Sequence, residues 1–426
     1  MEKIDDLDLV SQVTNFRGGQ LADHLDDWSS LTSDPYVLQM IKGDKIEFVE
    51  NPPIRHESYS KFSTEEFAAA EIEVQKLLSK KIIVECEHEC LEFVSSIFLV
   101  PKPDGSFRLI LNLKDLNQFV KFEHFKMDGI RDVLSLVTRG CFMAKIDLKD
   151  AYYSVKVHPT YQKFLKFKFA GTLYKFVCFP NGLGPCPRKF TKIGKVPLSV
   201  LRTEGSSVSG YIDDFFTKGQ DFATCFRSVQ RMISLFMKLG FVIHPEKSQF
   251  VPSQIIEFLG FVINSVNMTI SLHDTKRRNI KKLLNQALTI KRPEIRFIAK
   301  VIGTLVSIFP ATKYGPLYYR YLENDKTVAL KNSSGNFDFF MTLSVNSIEE
   351  LRWWRMNIDS VFNHIETPPI KFKMYCDASN TGWGVKFLSY KAGGNWNIEG
   401  EDLHINVKEM LAIYYSLCAF SDKLKV

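Results

Sequence analysis

The stretch Ser207-Val208-Ser209-Gly210-Tyr211-Ile212-Asp213-Asp214-Phe215-Phe216 places two adjacent carboxylates between two apolar runs. The pattern predicts a strand, a tight turn and a second strand, with the apolar side chains packed on a core. Two carboxylates at one turn repel each other, so their placement indicates a divalent cation, because Mg²⁺ takes hard oxygen ligands. Asp is also a common turn residue, so an ordinary polar hairpin tip explains this stretch alone equally well.

A third carboxylate follows an apolar strand upstream, in Phe142-Met143-Ala144-Lys145-Ile146-Asp147-Leu148-Lys149-Asp150-Ala151-Tyr152-Tyr153. The strand ends at Asp147, and a turn and two aromatic residues follow. If the two strand ends are neighbours, Asp147 lies against Asp213 and Asp214. Three carboxylates can hold two metal ions about 3.5–4 Å apart, an arrangement that stabilises both oxygens of an in-line phosphoryl displacement.

The composition bounds the class of protein. The 426 residues exceed one ordinary domain, so two to four folding units are expected. Hydrophobic residues make up 45% of the chain and charged residues 24%, which is typical of globular proteins. The formal net charge of +7 suits a polyanionic partner such as nucleic acid, without proving one.

Cysteine usage and the N-terminus predict the compartment. The 8 cysteines are scattered without a disulfide framework, which favours a reducing environment. Cys86-Glu87-His88-Glu89-Cys90 has the residue types of half a zinc site, but no second half is evident. The chain begins without signal-peptide features, and no apolar run approaches a membrane span. We therefore expect an intracellular protein, cytoplasmic, nuclear or both, with no membrane partner.

Local signals place several helices. Residues 1–62 are interpreted as an arm in which Ser33-Asp34-Pro35 starts a short helix that Gly43 ends. Ser63 and Glu66 fit a capping box, which predicts the start of a longer helix. Three further helices are predicted: one from about Pro187 with Lys189, Lys192 and Lys195 exposed, one from Asp221 to Leu239, and a basic one from Thr275.

Hairpins are predicted between these helices. Ser96–Lys102 and Phe107–Leu111 read as two strands around a turn, with Lys102 and Arg108 near its tip. A second hairpin is predicted from Phe164 to Phe176, and the loop after it begins Phe179-Pro180-Asn181-Gly182. Taken alone, the charges on the first hairpin are solvated surface charges. Beside a phosphate-binding site, the planar fork of an arginine can bind phosphate oxygens.

Taken in order, these motifs resemble those of reverse transcriptases over roughly residues 60–270. The carboxylate turn has the form Tyr-x-Asp-Asp, and Lys247 and Phe258-Leu259-Gly260 follow at the expected places. The resemblance implies an α/β (α+β) right-hand polymerase fold with fingers, a palm of antiparallel sheet plus helices, and a helical thumb. It implies an N-terminal arm at 1–62, fingers and palm at 63–275, a thumb and connection at 276–345, and a truncated ribonuclease H-like domain at 346–426.

The resemblance also assigns roles to individual residues. It implies that Asp147, Asp213 and Asp214 are catalytic and, with the carbonyl of Leu148, hold two Mg²⁺ or Mn²⁺ ions. The residues expected on the dNTP side are Lys102, Arg108, Asp150, Ala151, Tyr152, Asn181, Gly182 and Lys247. The expected partners are an RNA template, a DNA primer or RNA–DNA hybrid, and dNTPs. Retroviral enzymes carry Gln where this chain has Asn181, and Asn can also form a hydrogen bond with a nucleotide.

Three stretches resemble DIRS-type retrotransposons in particular. They are Trp28–Pro35, Pro187–Lys192 and a C-terminal pair of motifs. In that pair, Met374–Gly384 resembles the first strand and turn of ribonuclease H, with Asp377 as a vestigial carboxylate, and Glu409 matches its helical second carboxylate. The resemblance implies further carboxylates downstream, and the sequence ends at Val426, so ribonuclease H activity is expected to be absent.

Two other functions remain open from the sequence. An RNA-directed RNA polymerase shares the palm, although Tyr152 and the ribonuclease H-like segment argue against it. A catalytically incomplete element remnant that only binds nucleic acid is the second alternative, and the three intact palm carboxylates argue against that. The sequence indicates neither the oligomeric state nor the natural template.

Overall fold

The computed structural model describes residues 16–102, 105–366, 372–397 and 402–424. The chain divides into two compact units, Met1–Ile365 and Glu366–Val426. Both combine α-helices with antiparallel strands, so the predicted mixed α/β fold is confirmed. None of the described helices is long and apolar enough to cross a bilayer.

Helices flank the sheets of the first unit and form its C-terminal part. In chain order they are α1 (Leu25–Leu31), α2 (Pro35–Gly43), α3 (Thr64–Ser79), α4 (Ile130–Leu136), α5 (Pro159–Gln162), α6 (Cys186–Thr203), α7 (Phe222–Lys238), α8 (Asp274–Thr289), α9 (Ile295–Ser307), α10 (Arg320–Asn332) and α11 (Val345–Asn357). The predicted caps are present. Asp34 accepts hydrogen bonds from the first turn of α2, and Ser63 and Glu66 form the capping box of α3.

Strands of the first unit form four antiparallel groups in the described residues. In chain order they are β1 (Ile83–Glu85), β2 (Ile97–Pro101), β3 (Phe107–Leu111), β4 (Phe142–Asp147), β5 (Lys166–Phe169), β6 (Thr172–Phe176), β7 (Ser207–Tyr211), β8 (Asp214–Gly219), β9 (Gln249–Ser253), β10 (Ile255–Phe258), β11 (Phe261–Asn264), β12 (Thr269–Leu272) and β13 (Phe362–His364). The groups are β7-β8-β4-β9, β1-β6-β5, β2-β3 and β10-β11-β12-β13.

The sheet β7-β8-β4-β9 is the structural centre of the first unit. Helix α6 packs on β7, and α7 packs on β8 and β4. Phe215 of β8 and Phe236 of α7 are both buried, with ring centroids 4.7 Å apart. Burying aromatic side chains between a helix and a sheet contributes strongly to the stability of the fold. The packed helices therefore hold in place the sheet that carries the carboxylates.

The N-terminal arm belongs to this core. Trp28 is fully buried, and its indole Nε1 donates a hydrogen bond of 3.0 Å to the carbonyl of Leu239 at the end of α7. Its ring also packs edge-on against Phe241 at 5.9 Å. The described part of the arm is therefore an integral layer of the first unit.

Lys189 differs from its predicted exposed position on α6. It is only 2% exposed, and its ammonium group lies 2.8 Å from Asp44 Oδ2 and 2.9 Å from the carbonyl of Lys45. The loop after α2 covers this turn of α6, a nonlocal contact that no local pattern reveals. A buried lysine requires such a partner, because an unpaired charge in an apolar interior is costly.

Helices α8 to α11 pack on one another and on the inner face of β11 and β12. Their core includes Leu284, Leu305 and Trp354, all essentially unexposed. Strand β13 pairs with β12 through Thr269 and His364. Residues 346–365, which the sequence interpretation assigned to the ribonuclease H-like segment, therefore pack within the first unit.

The second unit is a small sheet with a helix. Its strands β14 (Met374–Ala378), β15 (Gly382–Phe387) and β16 (Tyr390–Asn395) pair in chain order, and helices α12 (Ile405–Ala419) and α13 (Ser421–Leu424) follow. Helix α12 packs on β14 and β15. Phe387 and Phe420 are buried together, with ring centroids 5.4 Å apart.

Candidate active site

Two of the three predicted metal-binding carboxylates are direct cross-strand partners. Asp147 ends β4 and Asp214 begins β8, and the two residues are opposite each other in the antiparallel register. Asp213 lies in the turn immediately before Asp214. The amide of Leu148 donates a hydrogen bond of 2.9 Å to the carbonyl of Asp213, which ties the two strand ends together. The structure thus brings the three carboxylates together at one end of the two central strands, β4 and β8, as the sequence predicted.

The turn that carries Asp213 is strained. Ile212 has a φ of 55°, in the left-handed region that β-branched residues rarely adopt. Just before it, Gly210 fits because a Cβ there would lie 2.9 Å from the ring of Phe215 and 3.0 Å from Leu198. A strained conformation persists only where its surroundings hold it, and here the packing of β7 on α6 does so.

The loop before β9 supports Asp147 from the other side. The hydroxyl of Ser248 accepts a hydrogen bond of 2.9 Å from the amide of Asp147, and the carbonyl of Asp147 accepts one of 2.8 Å from His244. Lys247 is 63% exposed, and its ammonium group lies 4.0 Å from Asp147 Oδ1. The predicted lysine is therefore at the site. Ser248, its neighbour in sequence, was missed.

The electrostatics of the cluster favour a bound cation. Burial raises the pKa of Asp147 to about 6, and the charge of Lys247 opposes this increase. Burial also raises the pKa of Asp214 to about 6, with further contributions from Asp213 and Asp147. The pKa of Asp213 is raised by burial too. In the described part of the chain, Lys247 alone forms an ion pair with these carboxylates. The donor set therefore fits divalent cations, which supply the missing positive charge.

Tyr152 lies beside the carboxylates. Its ring is half-buried and packs edge-on against Phe190 of α6, with centroids 5.5 Å apart. Burial raises the pKa of its phenol well above the usual value, and the charges of Cys186 and Asp213 add to this. The preceding Ala151 is buried in the same 3₁₀ turn. The predicted sugar-side aromatic is thus close enough to Asp213 to sense its charge.

Asp150 is held by a residue that sequence reasoning missed. It has a φ of 52°, a left-handed conformation that Asp tolerates better than most residues. The ammonium group of Lys80, just after α3, lies 2.6 Å from Asp150 Oδ2. Since the two residues are 70 positions apart in sequence, no local signal identifies the pair.

The Asn181-Gly182 loop is fixed from two sides. The side-chain amide nitrogen Nδ2 of Asn181 donates a hydrogen bond of 2.8 Å to the hydroxyl of Tyr153, so this side chain already has a partner within the protein. Asn117 donates to the carbonyl of Gly182 at 2.9 Å and accepts from the amide of Gly184 at 2.9 Å. Gly182 has a φ of 105°, and a Cβ there would lie 3.0 Å from the carbonyl of Leu111. The loop therefore abuts the β2–β3 hairpin.

The predicted hairpin with Lys102 and Arg108 is present as β2 and β3. Arg108 pairs with Val100 across the strands, and the amide of Lys102 donates to the carbonyl of Ser106 at 2.7 Å. Burial raises the pKa of Asp213, and the exposed guanidinium of Arg108 partly opposes this increase. The turn residues Pro103 and Asp104 lie outside the described residues.

The two remaining carboxylates belong to the second unit. Asp377 is exposed on β14, opposite Gly384 of β15, and Glu409 is half-buried on α12. The helix packs on β14, so both residues belong to one sheet–helix layer. This is the strand and helix placement that the sequence predicted for them.

The central part of the first unit matches a known family. Residues 100–263 match the family model described as reverse transcriptase (RNA-dependent DNA polymerase). This part of the chain is a reverse transcriptase domain. The match includes Asp147, Asp213, Asp214 and Lys247, and it ends before the helices α8 to α11.

The reverse transcriptase domain is related to those of viral and transposon polyproteins. The Pro-Pol polyprotein of Simian foamy virus type 1 is 24% identical over 256 residues, which are 60% of this chain and 21% of that polyprotein. The Transposon Tf2-3 polyprotein of Schizosaccharomyces pombe is 24% identical over 216 residues, which are 51% of this chain and 16% of the transposon protein. The chain thus matches about a fifth or less of the length of these relatives.

Solved structures share the fold. A foamy viral protease-reverse transcriptase in complex with double-stranded DNA has a TM-score of 0.62 at 15% identity, covering 99% of this chain and 73% of that one. The same viral protein in complex with an RNA/DNA hybrid has a TM-score of 0.61 at 14% identity, covering 99% and 56%. At these identities the likeness extends to the fold alone.

Proposed function

We propose that this chain is an RNA-directed DNA polymerase of a retrotransposon, which transfers nucleotides from dNTPs to a primer 3′-hydroxyl on an RNA template. The cross-strand pair of Asp147 and Asp214, with Asp213 in the adjoining turn, carries the proposal. This arrangement lies within the reverse transcriptase match. The intact cluster also argues against a remnant that only binds nucleic acid.

Asp147, Asp213 and Asp214 would hold two Mg²⁺ or Mn²⁺ ions, with the carbonyl of Leu148 as a further ligand. When bound, such ions activate the primer hydroxyl and neutralise charge on the leaving pyrophosphate. The protein holds these carboxylates in place through β4, β8 and the bond from Leu148 to Asp213. Rigid strands suit this role, because the positions of catalytic side chains must be fixed to within a fraction of an ångström.

The dNTP lies between the hairpin and the carboxylates in this proposal. Arg108 and Lys102 bind the triphosphate, for which a guanidinium offers bidentate hydrogen bonds. Lys247, exposed and 4.0 Å from Asp147, holds a proton at Nζ that can pass to the pyrophosphate. Asp150, Ala151 and Tyr152 line the sugar, and Gly182 allows the backbone of its loop to approach the nucleotide closely.

The duplex of template and primer lies along the helices after the palm. Arg278 and Lys282 of α8 are exposed and can contact the phosphates of the duplex backbone. Contacts of this kind do not depend on the base sequence. Lys276 lies instead over the ring of Phe261 at 4.1 Å, and burial lowers its pKa. The hairpin turn Leu259-Gly260, with φ values of 50° and 74°, holds the primer end. In this scheme fingers and palm span 63–275, and the thumb begins at 276.

The element is of DIRS type in this proposal. The support is the sequence of Trp28–Pro35 and Pro187–Lys192, together with the Asp377 and Glu409 motifs. DIRS-type elements encode a tyrosine recombinase rather than an integrase. Sequencing the genomic locus on both sides of the gene should reveal a tyrosine recombinase reading frame, and an integrase reading frame would contradict the assignment.

The second unit is a ribonuclease H-like segment in this proposal. Asp377 and Glu409 are the two carboxylates that the resemblance assigns to it. Two carboxylates leave a pair of metal ions under-coordinated, so the 426-residue chain should not cleave the RNA of an RNA–DNA hybrid. Hybrid cleavage that requires Mg²⁺ and vanishes in Asp377→Asn would contradict this.

Primer extension tests the main proposal. The purified chain, an RNA template with an annealed DNA primer, dNTPs and Mg²⁺ should yield extended DNA, and the Asp213→Asn variant serves as the control for contaminating polymerases. Extension with ribonucleotides alone would favour the RNA polymerase alternative. Tight binding without extension by the unaltered chain would favour a remnant.

A further inference from the structure

A second cluster of metal-ligating side chains lies outside the carboxylate site. His56, His88 and Glu92 offer ligand atoms that all lie within 4.8 Å of one another. His56 Nδ1 is 2.7 Å from Glu92 Oε1, and His88 Nδ1 is 2.5 Å from the same oxygen. His56 comes from the extended segment before α3, whereas His88 and Glu92 come from the loop after β1. Residues 32 positions apart in sequence therefore converge on one oxygen.

We propose that His56, His88 and Glu92 form a zinc-binding site in which water completes the coordination. Two imidazoles and one carboxylate are a ligand set that Zn²⁺ accepts. Bonds of about 2.0–2.1 Å in a tetrahedron separate neighbouring ligand atoms by about 3.3 Å. Each Nδ1 atom would move away from Glu92 Oε1 by less than about 1 Å to admit the ion, which then replaces the protons on the two Nδ1 atoms.

The surroundings of Glu92 already orient it for this role. Its side chain is completely buried, and Oε2 is held by Lys166 Nζ at 2.7 Å and by the amide of Glu89 at 3.0 Å. Oε1 is thereby turned toward the histidines as a single ligand atom. Such outer partners fix the orientation of metal ligands in proteins. Lys166 Nζ also lies 2.9 Å from Glu89 Oε1, so one ammonium group is shared by two carboxylates. The negative charge that it leaves unbalanced favours a bound cation.

The histidines leave room for the fourth ligand. Their side chains are 58% and 50% exposed, so the open side of the cluster faces solvent. Cys86 and Cys90 flank His88 in sequence, but their sulfur atoms do not belong to the group. The zinc site thus joins the histidine of the Cys86–Cys90 motif to His56 and Glu92 rather than to a second pair of cysteines.

The ion would fasten the N-terminal segment to the strand region next to it. Arg55, the residue before His56, already forms a parallel bridge with Phe93, and its amide donates to the carbonyl of Glu92 at 3.0 Å. A metal bond between side chains of the same two segments closes a loop of the chain. Binding of the ion to the folded state would add directly to the stability of this part of the first unit.

Metal binding by the full-length chain tests the proposal without any activity assay. The protein is stripped with a chelator and titrated with Zn²⁺ against a chromophoric competitor, and with Co²⁺ while the visible spectrum is recorded. We expect one equivalent bound, with cobalt d–d bands and no thiolate charge-transfer band in the near ultraviolet. His56→Gln and His88→Gln should each weaken binding by at least about tenfold.

The control variant is His364→Gln, an exposed histidine on β13, which should bind like the unaltered chain. The histidine variants replace exposed side chains, so circular dichroism should show them folded, whereas Glu92→Gln disturbs a buried ion pair. Three results would each overturn the proposal: no binding by the stripped chain, unchanged affinity in both histidine variants, or a thiolate band that moves the site to the cysteines.

Discussion

Asp147 and Asp214 are opposite each other across β4 and β8. The hydrogen bond from the amide of Leu148 to the carbonyl of Asp213 joins the ends of these two strands. In a strand, successive side chains point to opposite faces, so a register shift of one residue would separate the two carboxylates. The buried residues Ile146 and Phe215, which are the next cross-strand partners, oppose such a shift. The hydrophobic pairing of β4 with β8 thereby fixes the relative positions of the two carboxylates.

The carboxylates should be required for chemistry and dispensable for nucleic-acid binding. Asp147→Asn or Asp213→Asn should abolish primer extension, while the dissociation constant for template-primer changes less than about threefold, since affinity comes mostly from dispersed phosphate contacts. Extension and filter binding measure the two effects on the same preparations. Near-normal extension by either variant would remove the residue from the site.

The metal-free protein should be more stable without one of its clustered charges. The pKa of Asp214 is about 6 when folded and 3.8 as its ordinary value, so the folded state binds the proton more tightly and the free energy of unfolding rises as the pH falls from 7 toward 4. Asp214→Asn removes this penalty. At pH 7.5 with a chelator present, we expect a gain on the order of 1 kcal/mol after solvent screening, and none near pH 4.

Urea unfolding at several pH values measures this difference. Asp359→Asn is the matched control, because Lys281 lowers the pKa of Asp359 and the charged form is the favoured one there. That variant should not be stabilised at pH 7.5. An Asp214→Asn gain that is equal at pH 7.5 and pH 4 would show that packing, not charge, is responsible.

Tyr152 should select the sugar of the incoming nucleotide. Its half-buried ring packs edge-on against Phe190, and the charge of Asp213 acts on its phenol, so in this proposal the ring excludes a 2′-hydroxyl by steric clash. Tyr152→Val should raise the efficiency with ribonucleotides relative to deoxynucleotides by at least about tenfold, which is about 1.4 kcal/mol of differential transition-state binding. Single-nucleotide incorporation with each sugar on one template measures the ratio.

Tyr152→Phe serves as the control for that experiment, since it keeps the ring and removes only the hydroxyl. The ratio should stay near that of the unaltered chain. If Tyr152→Val lowers incorporation of both sugars equally, the ring has a packing role alone, and the RNA polymerase alternative regains support.

The buried pair of Asp44 and Lys189 should show how costly a lone charge is in this core. Lys189→Met leaves Asp44 buried without its partner and should lower the free energy of unfolding at pH 7 by about 3–5 kcal/mol. The pKa of Asp44 is already raised to about 6, mainly by burial, so protonation at pH 5 should recover much of this loss. Adding Asp44→Asn to Lys189→Met should restore much of the lost free energy of unfolding at pH 7. Thermal or urea unfolding of the single and double variants measures this difference. A double variant as unstable as the single one would mean that lost packing is the cause.

Sequence reasoning succeeded where the signal is local. The capping box of Ser63 and Glu66 and the strand-turn-strand around Asp213 follow from residues close together in the chain. What it missed depends on distant contacts. Lys80 reaches Asp150 across 70 positions, and Ser248 reaches the amide of Asp147 across 101. Hydrogen-bonding residues of this kind have no periodicity of their own, so only the folded chain reveals them.

The indole of Trp28, bonded to the carbonyl of Leu239, bears on how the chain can be shortened. A fragment cut at the limits of the family match, residues 100–263, would retain Asp147, Asp213 and Asp214 yet lose this indole and the rest of the N-terminal layer. The hole left behind would expose the end of α7 and the ring of Phe241 to water. The segment that matches the family and the smallest stretch able to fold by itself are thus different lengths of polypeptide, and expression trials should start upstream of Trp28.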